Sequence, residues 1–592
     1  MCYCLFLCCI LRYDKIACYL FTFFAIQIPV IEMRIILCII FISLQMLGHA
    51  QTKSNTDIKP WFHTTTVYQI YPRSFYDSNG DGIGDIQGII QKLDYIKSMG
   101  YGTIWCSPFF KSPQKDFGYD ISGYTEIAPE YGTLKDAEQL ITEVHKRGMK
   151  IVFDMVMNHT SDEHPWFKES SSSRTNPKAD WYLWRDKPNG WRSQTLGKGW
   201  HYCKERNQYY WASFLSFQPD LNYRNPEVKK AMFDAVRFWL EKGVDGFRLD
   251  MFNSIYKDAE FRNNAASRSE ASKNYDTKGF KSSITGSVNQ PESFEFARQL
   301  RSVCDSFGDR MLLGEVYGNH AMVRRFLGKE KNDGLGLVFN FEMLRFGFNA
   351  NYFHRIIANL ENDFPAPFMP VYVFSNHDRR RSMKRLNGDV RKAKLLHFMQ
   401  LTVRGVPCMY YGEEIGMQDL RMPYKNALDP IPHEHKFVPR FLVDMAGETL
   451  NRDELRTPMQ WDSSNNAGFS QNAKTWLPVH TDFAKVNVQK EEKDQNSLLN
   501  MVRQLLKTRK TEPVIISGNM VLMDGKTLPK GVLAYKRTND KDEVLVLINF
   551  TKHKKEFALR GNYNTLLIVN KADSNTDGKI SLDTFGGIIL KK

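Results

Sequence analysis

The fold is indicated most directly by residues 150–159, which read KIVFDMVMNH. The first half is apolar up to Asp154, as expected for a strand that is buried on both faces of a parallel sheet. Residues 134–147 precede it, with apolar side chains at helical spacing, and Gly148 ends that helix. A helix followed at once by a fully buried strand predicts an α/β fold.

The same alternation of strands and helices continues on both sides of this stretch. Its length and regularity predict a (β/α)₈ TIM barrel rather than a doubly wound sheet. The predicted strands are 66–70, 103–105, 150–154, 246–250, 311–315, 371–375 and 406–411, and the predicted helices are 86–99, 134–147, 228–240 and 293–307.

Two segments interrupt the alternation. Residues 159–217 are polar, aromatic and loop-like, which predicts an inserted B domain after strand 3. Residues 513–592 contain short alternating strands, which predict a C-terminal antiparallel β-sandwich. The catalytic barrel is therefore expected in two parts, residues 51–158 and 218–512.

The N-terminal residues predict secretion. Residues 33–50 combine Met33-Arg34, an apolar run over 35–47 and the small residues of Gly48-His49-Ala50, the pattern of a cleaved signal peptide. Cleavage after Ala50 would leave an extracellular protein without stable membrane association. Residues 1–32 form a further apolar extension, which fits either a start codon assigned too far upstream or a retained anchor.

Charge and cysteine content exclude several classes of protein. The formal net charge is +14, but 80 basic and 66 acidic residues alternate without any run of five like charges, so no nucleic-acid partner is predicted. The four cysteines after residue 50 have neither metal-ligand nor CxxC spacing, which argues against structural zinc and a disulfide scaffold. Pairing of individual cysteines is left open.

Acidic residues follow several of the predicted strands. Catalytic groups of a (β/α)₈ barrel lie at the C-terminal ends of its strands, and these ends carry Asp154, Asp250, Glu315 and the run Asn376-His377-Asp378. Glycoside hydrolysis needs two opposed carboxyl groups, one ionised and one protonated. The convergence of these residues predicts a glycosidase acting on a small sugar.

Arg248 lies two residues before Asp250 and therefore on the same face of its strand. A neighbouring guanidinium favours the ionised form of a carboxyl group, so we expect Arg248 to lower the pKa of Asp250. Glu315 must remain protonated near neutral pH, which requires a raised pKa.

These strings resemble the signature regions of the α-amylase superfamily, glycoside hydrolase family 13. Residues 218–222, QPDLN, resemble its oligo-1,6-glucosidase branch, and residues 456–462, RTPMQWD, are typical of its α-glucosidases. The resemblance implies that Asp250 is the nucleophile, Glu315 the general acid/base and Asp378 the transition-state stabiliser. It implies no organic cofactor.

The resemblance also implies a set of glucose-binding residues. Tyr119 would stack on the sugar ring, and Asp120 with Arg381 would close the pocket around the non-reducing end. The remaining predicted substrate-binding residues are His159, Arg248, His377, Met251 and Arg456. A closed pocket implies an exo-acting glucosidase.

A calcium site is expected in residues 77–85, DSNGDGIGD. Oxygen-bearing residues alternate there as at the start of an EF-hand loop, but the twelfth position is Ile89 rather than Glu. In similar α-glucosidases this loop binds a structural Ca²⁺. The implied ligands are Asp77, Asn79, Asp81, the Ile83 carbonyl and Asp85.

Sucrose is the expected substrate, with small malto-oligosaccharides as further candidates. Residues 243–258, GVDGFRLDMFNSIYKD, resemble sucrose hydrolases of moths and butterflies. Met251 follows the nucleophile where similar enzymes often have smaller residues, and Arg379-Arg380 also departs from the common pattern. A bulky Met251 would favour a compact aglycone such as fructose.

Two alternatives remain open. A sucrose isomerase would return fructose to the glucosyl-enzyme, but similar isomerases carry Arg-Leu-Asp-Arg-Asp where residues 345–349 read RFGFN. A non-catalytic heavy chain of an amino-acid transporter would share the fold, although its linking cysteine has no counterpart between residues 39 and 105. The linkage preference, the start codon and the oligomeric state are left open.

Overall fold

The structure is a computed structural model that describes residues 60–195, 197–264, 284–328, 332–445, 447–559, 561–574 and 578–592. The predicted signal peptide at 33–50 and the extension at 1–32 lie outside the described residues. Within the described part of the chain, none of the helices combines the length and hydropathy needed to cross a bilayer.

A closed barrel of eight parallel strands forms the centre of the molecule, as predicted. Each strand pairs with the next in the chain, and the eighth pairs with the first. The strands are β1 (Val67–Ile70), β2 (Thr103–Cys106), β3 (Lys150–Met155), β4 (Gly246–Leu249), β5 (Met311–Gly314), β6 (Leu337–Asn340), β7 (Val371–Val373) and β8 (Val406–Tyr410). Nearly all their residues are buried, because helices cover the outside and side chains fill the inside.

Strand β6 has no counterpart among the predicted strands. It has only four residues and continues directly into a 3₁₀ helix, Phe341–Arg345. A single apolar run of that length cannot be assigned by periodicity, because strand and helix fit it equally well.

Amphipathic helices surround the barrel. The predicted helix 134–147 is Leu134–Lys146, and its N-terminus carries a reciprocal capping box between Thr133 and Asp136. The predicted helix 86–99 is divided at Lys92. The other main helices of the barrel are Pro226–Glu241, Pro291–Asp305, His320–Leu327, Ala350–Asp363, Val390–Thr402 and Leu498–Thr511.

The excursion after β3 has its own small fold. Its helix Pro165–Ser172 is followed by a three-stranded antiparallel sheet of Trp184–Arg185, Trp200–Cys203 and Gln208–Trp211. Leu183, Trp191, Trp200 and Trp211 form a separate apolar cluster. This independent core is consistent with the predicted insertion of a domain, whose boundaries at 159 and 217 remain predictions.

The C-terminal region is antiparallel, as predicted. One sheet has five strands, in the order Asn519–Leu522, Val532–Thr538, Glu543–Asn549, Gly587–Lys591 and Asn564–Val569. A second sheet contains Lys555–Ala558, Lys579–Leu582 and Ala572–Ser574. The short helix Pro513–Ser517 precedes the first sheet.

The cysteines of the described residues all lie in the interior. Cys106, Cys203, Cys304 and Cys408 are all buried and all free. Burial raises the pKa of the thiols of Cys106, Cys304 and Cys408, which keeps them protonated and unreactive.

Candidate active site

Three carboxyl groups share the guanidinium of Arg248 at the C-terminal end of the barrel. One nitrogen of Arg248 donates to Asp154 at 2.8 Å and to Asp250 at 2.9 Å, and the other donates to Glu315. The acceptors follow or end β3, β4 and β5, which are neighbours in the barrel. The predicted convergence of strand-end acids is therefore present, with one buried cation at its centre.

Asp250 and Glu315 lie in the wall of a cavity of about 520 Å³. Asp378 also reaches this cavity, from the loop after β7. One side of the cavity comes from the excursion after β3, through Gln194, Thr195, Phe214 and Leu215. The cavity is thus formed between the barrel and its insertion, as expected for a site that binds a small ligand.

The pKa of Glu315 is raised, as expected for a general acid. Burial is the largest cause, and the negative charges of Asp250 and Asp378 add to it, so that the pKa reaches about 7 against the lowering effect of Arg248. A carboxyl group in such surroundings holds its proton close to neutral pH.

Arg248 acts to lower the pKa of Asp250, as expected, but the net shift of that pKa is upward. Burial, together with the charges of Asp154 and Asp378, raises the pKa of Asp250 to about 7, although Arg248 opposes this. The physical reason is that one guanidinium is divided among three acids, Asp154, Asp250 and Glu315. Its single positive charge does not compensate the burial of each of them.

Asp378 lies in different surroundings. Burial alone would raise the pKa of its carboxyl group, but His377, Arg452 and Arg456 together hold the pKa well below its usual range. Arg456 donates to Asp378 at 2.9 Å, and Arg452 lies 3.3 Å from the same oxygen. Asp378 is therefore ionised at neutral pH while Asp250 and Glu315 titrate there.

Tyr119 lines the cavity, and contacts with His377 and Asp154 fix the orientation of its side chain. Its ring stacks on that of His377 with centroids 5.1 Å apart, and its hydroxyl lies 2.6 Å from Nε2 of His377. The same hydroxyl donates to Asp154 at 3.1 Å. The amide nitrogen of Gln69 lies 2.8 Å from Nδ1 of His377. Burial lowers the pKa of His377 to about 4, so the ring is neutral.

The predicted substrate-binding residues fall into three groups. Tyr119, His159 and Met251 line the cavity. Arg248, His377 and Arg456 are fully buried behind it, where they hold Asp250, Tyr119 and Asp378. Asp120 and Arg381 belong to neither group.

Asp120 and Arg381 do not meet, so their prediction as the pocket-closing pair is wrong. The Asp120 carboxylate accepts from Ser112 and from the backbone N–H groups of Lys115 and Asp116, which it holds in a turn. Arg381 donates to the carbonyls of Tyr411 and Leu455. Both side chains are fully buried, and neither lines the cavity.

Asp116 and Arg452 form an ion pair in the cavity wall, the position that was expected for Asp120 and Arg381. Arg452 donates to Asp116 at 2.5 Å, and both line the cavity. Asp429, fully buried, accepts from Arg452 at 2.8 Å, and Gln218 donates to Asp116 at 3.1 Å. Sequence reasoning missed Asp116 because a loop residue gives no periodic signal for the direction of its side chain.

Several known proteins are similar to this chain in sequence and fold. A model of the α-amylase catalytic domain matches residues 69–518, and a model of the α-amylase SusG C-terminal domain matches residues 532–589. The chain belongs to the α-amylase family of glycoside hydrolases. Within this family it is an α-glucosidase-like hydrolase.

Two relatives and one solved structure indicate the branch of the α-amylase family. The chain is 36% identical to an oligo-1,6-glucosidase of Parageobacillus thermoglucosidasius, over 84% of this chain and 92% of that one. It is 35% identical to an α-glucosidase of Apis mellifera, over 87% and 89%. An isomaltulose synthase mutant from Erwinia rhapontici, solved with its natural substrate sucrose, superposes with a TM-score of 0.81 at 30% identity, over 90% of this chain and 99% of that one.

Met251 follows Asp250, at a position where similar enzymes often have smaller residues, and it lies in the cavity wall. Its backbone has φ 36° and ψ 44°, a left-handed conformation that is uncommon for residues other than glycine and asparagine. This conformation directs the Met251 N–H toward the carboxylate of Glu315, at 3.4 Å. Arg379 also reaches the cavity, where its guanidinium lies 2.7 Å from Glu448.

The calcium loop has the oxygen donors that Ca²⁺ prefers, in Asp77, Asn79, Asp81 and Asp85. In the structure these oxygens accept mainly backbone N–H groups: Asp77 accepts from Gly80 at 2.7 Å, and Asp81 from Ile83 at 2.8 Å. Among the described residues, no three His, Cys, Asp or Glu side chains lie close enough together to hold a metal ion. Calcium binding by this loop stays a prediction.

Proposed function

We propose that the protein is a retaining, exo-acting α-glucosidase with Asp250 as nucleophile, Glu315 as general acid/base and Asp378 as transition-state stabiliser. The single observation that carries the proposal is the pair of carboxyl groups, Asp250 and Glu315, held by the two nitrogens of Arg248 in one cavity wall. In a retaining enzyme one carboxyl group is the nucleophile, so this pair would work through a covalent glucosyl-enzyme.

The proposed reaction has two steps. The Asp250 carboxylate attacks the anomeric carbon of glucose while Glu315 gives its proton to the leaving oxygen. Glu315, now ionised, then takes a proton from water, which attacks the same carbon and releases glucose with net retention. Asp378, kept ionised by Arg456 and Arg452, stabilises the positive charge that develops on the sugar ring.

The exo mode is supported by an ion pair in the cavity wall. Asp116 and Arg452 form this pair, with side chains that are 8% and 12% exposed, and Asp429 and Gln218 support it. A glucose unit that reaches Asp250 would meet this pair with the hydroxyls of its non-reducing end. A longer chain cannot extend past it, so one glucose is released at a time.

Sucrose is the substrate that we propose within this activity. The position of Met251 in the cavity wall supports it, since a bulky side chain beside the nucleophile restricts the group bonded to glucose. The isomaltulose synthase from Erwinia rhapontici offers a precedent on the same fold, because its natural substrate is sucrose.

The deciding experiment uses residues 51–592, purified and incubated with sucrose, maltose and isomaltose. We expect glucose release with sucrose preferred, and loss of activity in Asp250→Asn. Chromatography of the products separates hydrolysis from isomerisation, because an isomerase would return a second disaccharide instead of free fructose. Folded protein that cleaves none of the three sugars would contradict the proposal and favour the non-catalytic transporter partner.

We propose, finally, that the enzyme is secreted through residues 33–50. The support is the signal-peptide pattern that ends at Ala50. Expression of the full chain in insect cells, followed by N-terminal sequencing of the protein in the medium, should give Gln51 as the first residue. Retention of the protein in cell membranes would contradict cleavage.

A further inference from the structure

A second cavity, of about 280 Å³, lies between the barrel and two of its helices. We call it the side cavity. Its walls come from the segment after β5, from β6 and from the helices His320–Leu327 and Ala350–Asp363. At about 30 Å³ for each water-sized group, the side cavity has room for about nine non-hydrogen atoms. It is therefore large enough for a small organic ligand.

The inner part of the side cavity is apolar. Four buried side chains of the two helices line it: Val323, Leu327, Ile356 and Leu360. Water finds no hydrogen-bond partners against such a surface, whereas a hydrocarbon chain gains from contact with it. This part of the side cavity therefore favours the apolar portion of a ligand.

The side cavity is also lined by a guanidinium that has no acidic partner. Arg355 is exposed and lies over the ring of Tyr352, 5.5 Å from its centroid. Among the described residues, no carboxylate lies within ion-pair distance of Arg355. In contrast, Arg345 and Arg379 both pair with Glu448. Arg355 is thus available to an anionic group of a ligand.

Two acids near the side cavity are held by a histidine. His320 lies 2.6 Å from Asp363 and 3.5 Å from Glu342. Burial would lower the pKa of His320, but Glu342 and Asp363 raise it above its ordinary value, which favours the cationic ring. Since His320 interacts with both carboxylates, Arg355 is left without a competing acid.

Asn340 supplies a second donor to the side cavity. Its side-chain oxygen accepts from the N–H of Glu342 at 3.2 Å, which fixes the orientation of the amide. Its nitrogen, Nδ2, is buried and has no hydrogen-bond partner among the described residues. An unpaired buried donor costs free energy, so an acceptor atom of a ligand in the side cavity would be stabilised there.

We propose that the side cavity binds a small aliphatic carboxylate, with its hydrocarbon chain between the two helices and its carboxylate on Arg355 and Asn340. The proposal goes beyond the glucosidase function and does not depend on it. Tyr317 and Arg379 line both cavities, so a ligand in the side cavity lies directly behind the wall of the catalytic cavity.

Isothermal titration calorimetry of the purified protein with hexanoate tests the proposal. We expect saturable binding with a Kd of roughly 0.1–1 mM, as for other ligands of this size. Hexylammonium has a similar length and the opposite charge, and it should bind at least about tenfold more weakly. Propionate should do the same, because a fully buried methylene contributes roughly fourfold in affinity. Absence of saturable hexanoate binding, or equal binding of hexylammonium, would overturn the proposal.

Two matched substitutions locate the binding site. Val323 lines the side cavity but not the catalytic cavity, Val443 lines the catalytic cavity but not the side cavity, and both are 8% exposed. Val323→Phe should fill the side cavity and weaken hexanoate binding at least about tenfold, since several methylenes lose their place. Val443→Phe should leave the Kd for hexanoate unchanged. The opposite result would place hexanoate in the catalytic cavity and overturn the proposal.

Arg355→Gln tests the contact with the carboxylate, and it does so even if Val323→Phe fails to fold. Exposed charge pairs contribute up to about fivefold in affinity, so we expect the Kd for hexanoate to rise about two- to fivefold. Arg237→Gln, at an exposed arginine of the helix Pro226–Glu241, is the control and should not change it. An unchanged Kd in Arg355→Gln would overturn the proposal. All of these are binding measurements, so failure of the protein to cleave sugars would not affect them.

Discussion

Arg452 donates to Asp116 at 2.5 Å, although the two residues are 336 positions apart in the chain. Asp116 is buried, the Arg452 side chain is 12% exposed, and both line the cavity that holds Asp250 and Glu315. Asp429 and Asp378 also pair with Arg452, which fixes its guanidinium in one orientation. An ion pair with such support is a preorganised set of donors and acceptors for sugar hydroxyls.

Asp116→Asn and Arg452→Met should each reduce kcat/KM for disaccharides. Hydrogen bonds to charged groups contribute about 1.5–3 kcal/mol, so the expected loss is about 10- to 150-fold. Steady-state kinetics on maltose, with folding checked by circular dichroism, measures it. Asp120→Asn serves as the control, because Asp120 lies outside the cavity, and we expect a lower Tm with little change in KM. A large loss of kcat/KM in Asp120→Asn, with little loss in Asp116→Asn, would identify Asp120 as the sugar-binding acid instead.

The pH profile of kcat/KM should be bell-shaped with its maximum near neutrality. Asp250 must be ionised and Glu315 protonated, and burial raises the pKa of each to about 7. At lower pH the pair binds a second proton, which removes the nucleophile. At higher pH the pair loses its last proton, which removes the general acid. The pKa values of the two limbs belong to the coupled pair and not to Asp250 or Glu315 alone.

Asp154→Asn should move the acid limb of this profile to lower pH. The charge of Asp154 is one cause of the raised pKa of Asp250, so its removal stabilises the Asp250 carboxylate. The expected shift is on the order of one pH unit. The alkaline limb should move less, and the bell should broaden. An acid limb that stays in place or rises would show that Asp154 does not act on Asp250.

Met251→Ala should reduce the preference for sucrose over maltose. Shortening the side chain widens the cavity beside Asp250, and pocket contacts of this size change specificity by roughly 10- to 200-fold. The ratio of kcat/KM for the two sugars is the measured quantity. Met251→Leu, which conserves volume, is the control and should keep the ratio close to that of the unmodified enzyme. An unchanged ratio in Met251→Ala would contradict the proposed role of Met251 in the preference for sucrose.

The sequence predicts the barrel and its catalytic acids because both depend on periodicity. Buried strands alternate with amphipathic helices, and the C-terminal ends of parallel strands meet at one face, so Asp250 and Glu315 could be paired before any coordinates. Strand β6, Leu337–Asn340, was not predicted, because its run of three apolar residues is too short to show a period.

Loop geometry and shared charge could not be predicted in this way. Asp116 and Asp120 lie in one loop, and only the fold decides that Asp116 faces the cavity while Asp120 holds the turn. The pKa of Asp250 depends on how many acids share Arg248, which is a three-dimensional property.

A buried ion pair beside the excursion after β3 should make the fold sensitive to the loss of either charge. Lys257 pairs with Asp220 and donates to Asn158 at 2.6 Å, and both charged side chains are fully buried. Lys257→Met leaves the charge of Asp220 unpaired, which costs about 3–5 kcal/mol. Urea unfolding measures the loss, and Lys257→Met with Asp220→Asn should recover part of it. Lys230→Met, in the exposed pair with Asp234, should cost less than about 1 kcal/mol.

Calcium should raise the thermal stability of the protein if residues 77–85 bind it. Binding to the folded state alone stabilises by about 2.7 kcal/mol at a hundredfold excess over Kd, so EDTA should lower the Tm by several degrees and calcium should restore it. Asp81→Asn removes a ligand whose carboxylate contacts only Asn79 and Ile83 of its own loop, and it should abolish the response. Asp94→Asn, at an equally exposed acid outside the loop, should keep it. A Tm that changes with neither EDTA nor calcium would exclude calcium binding by this loop. The measurement does not depend on enzymatic activity.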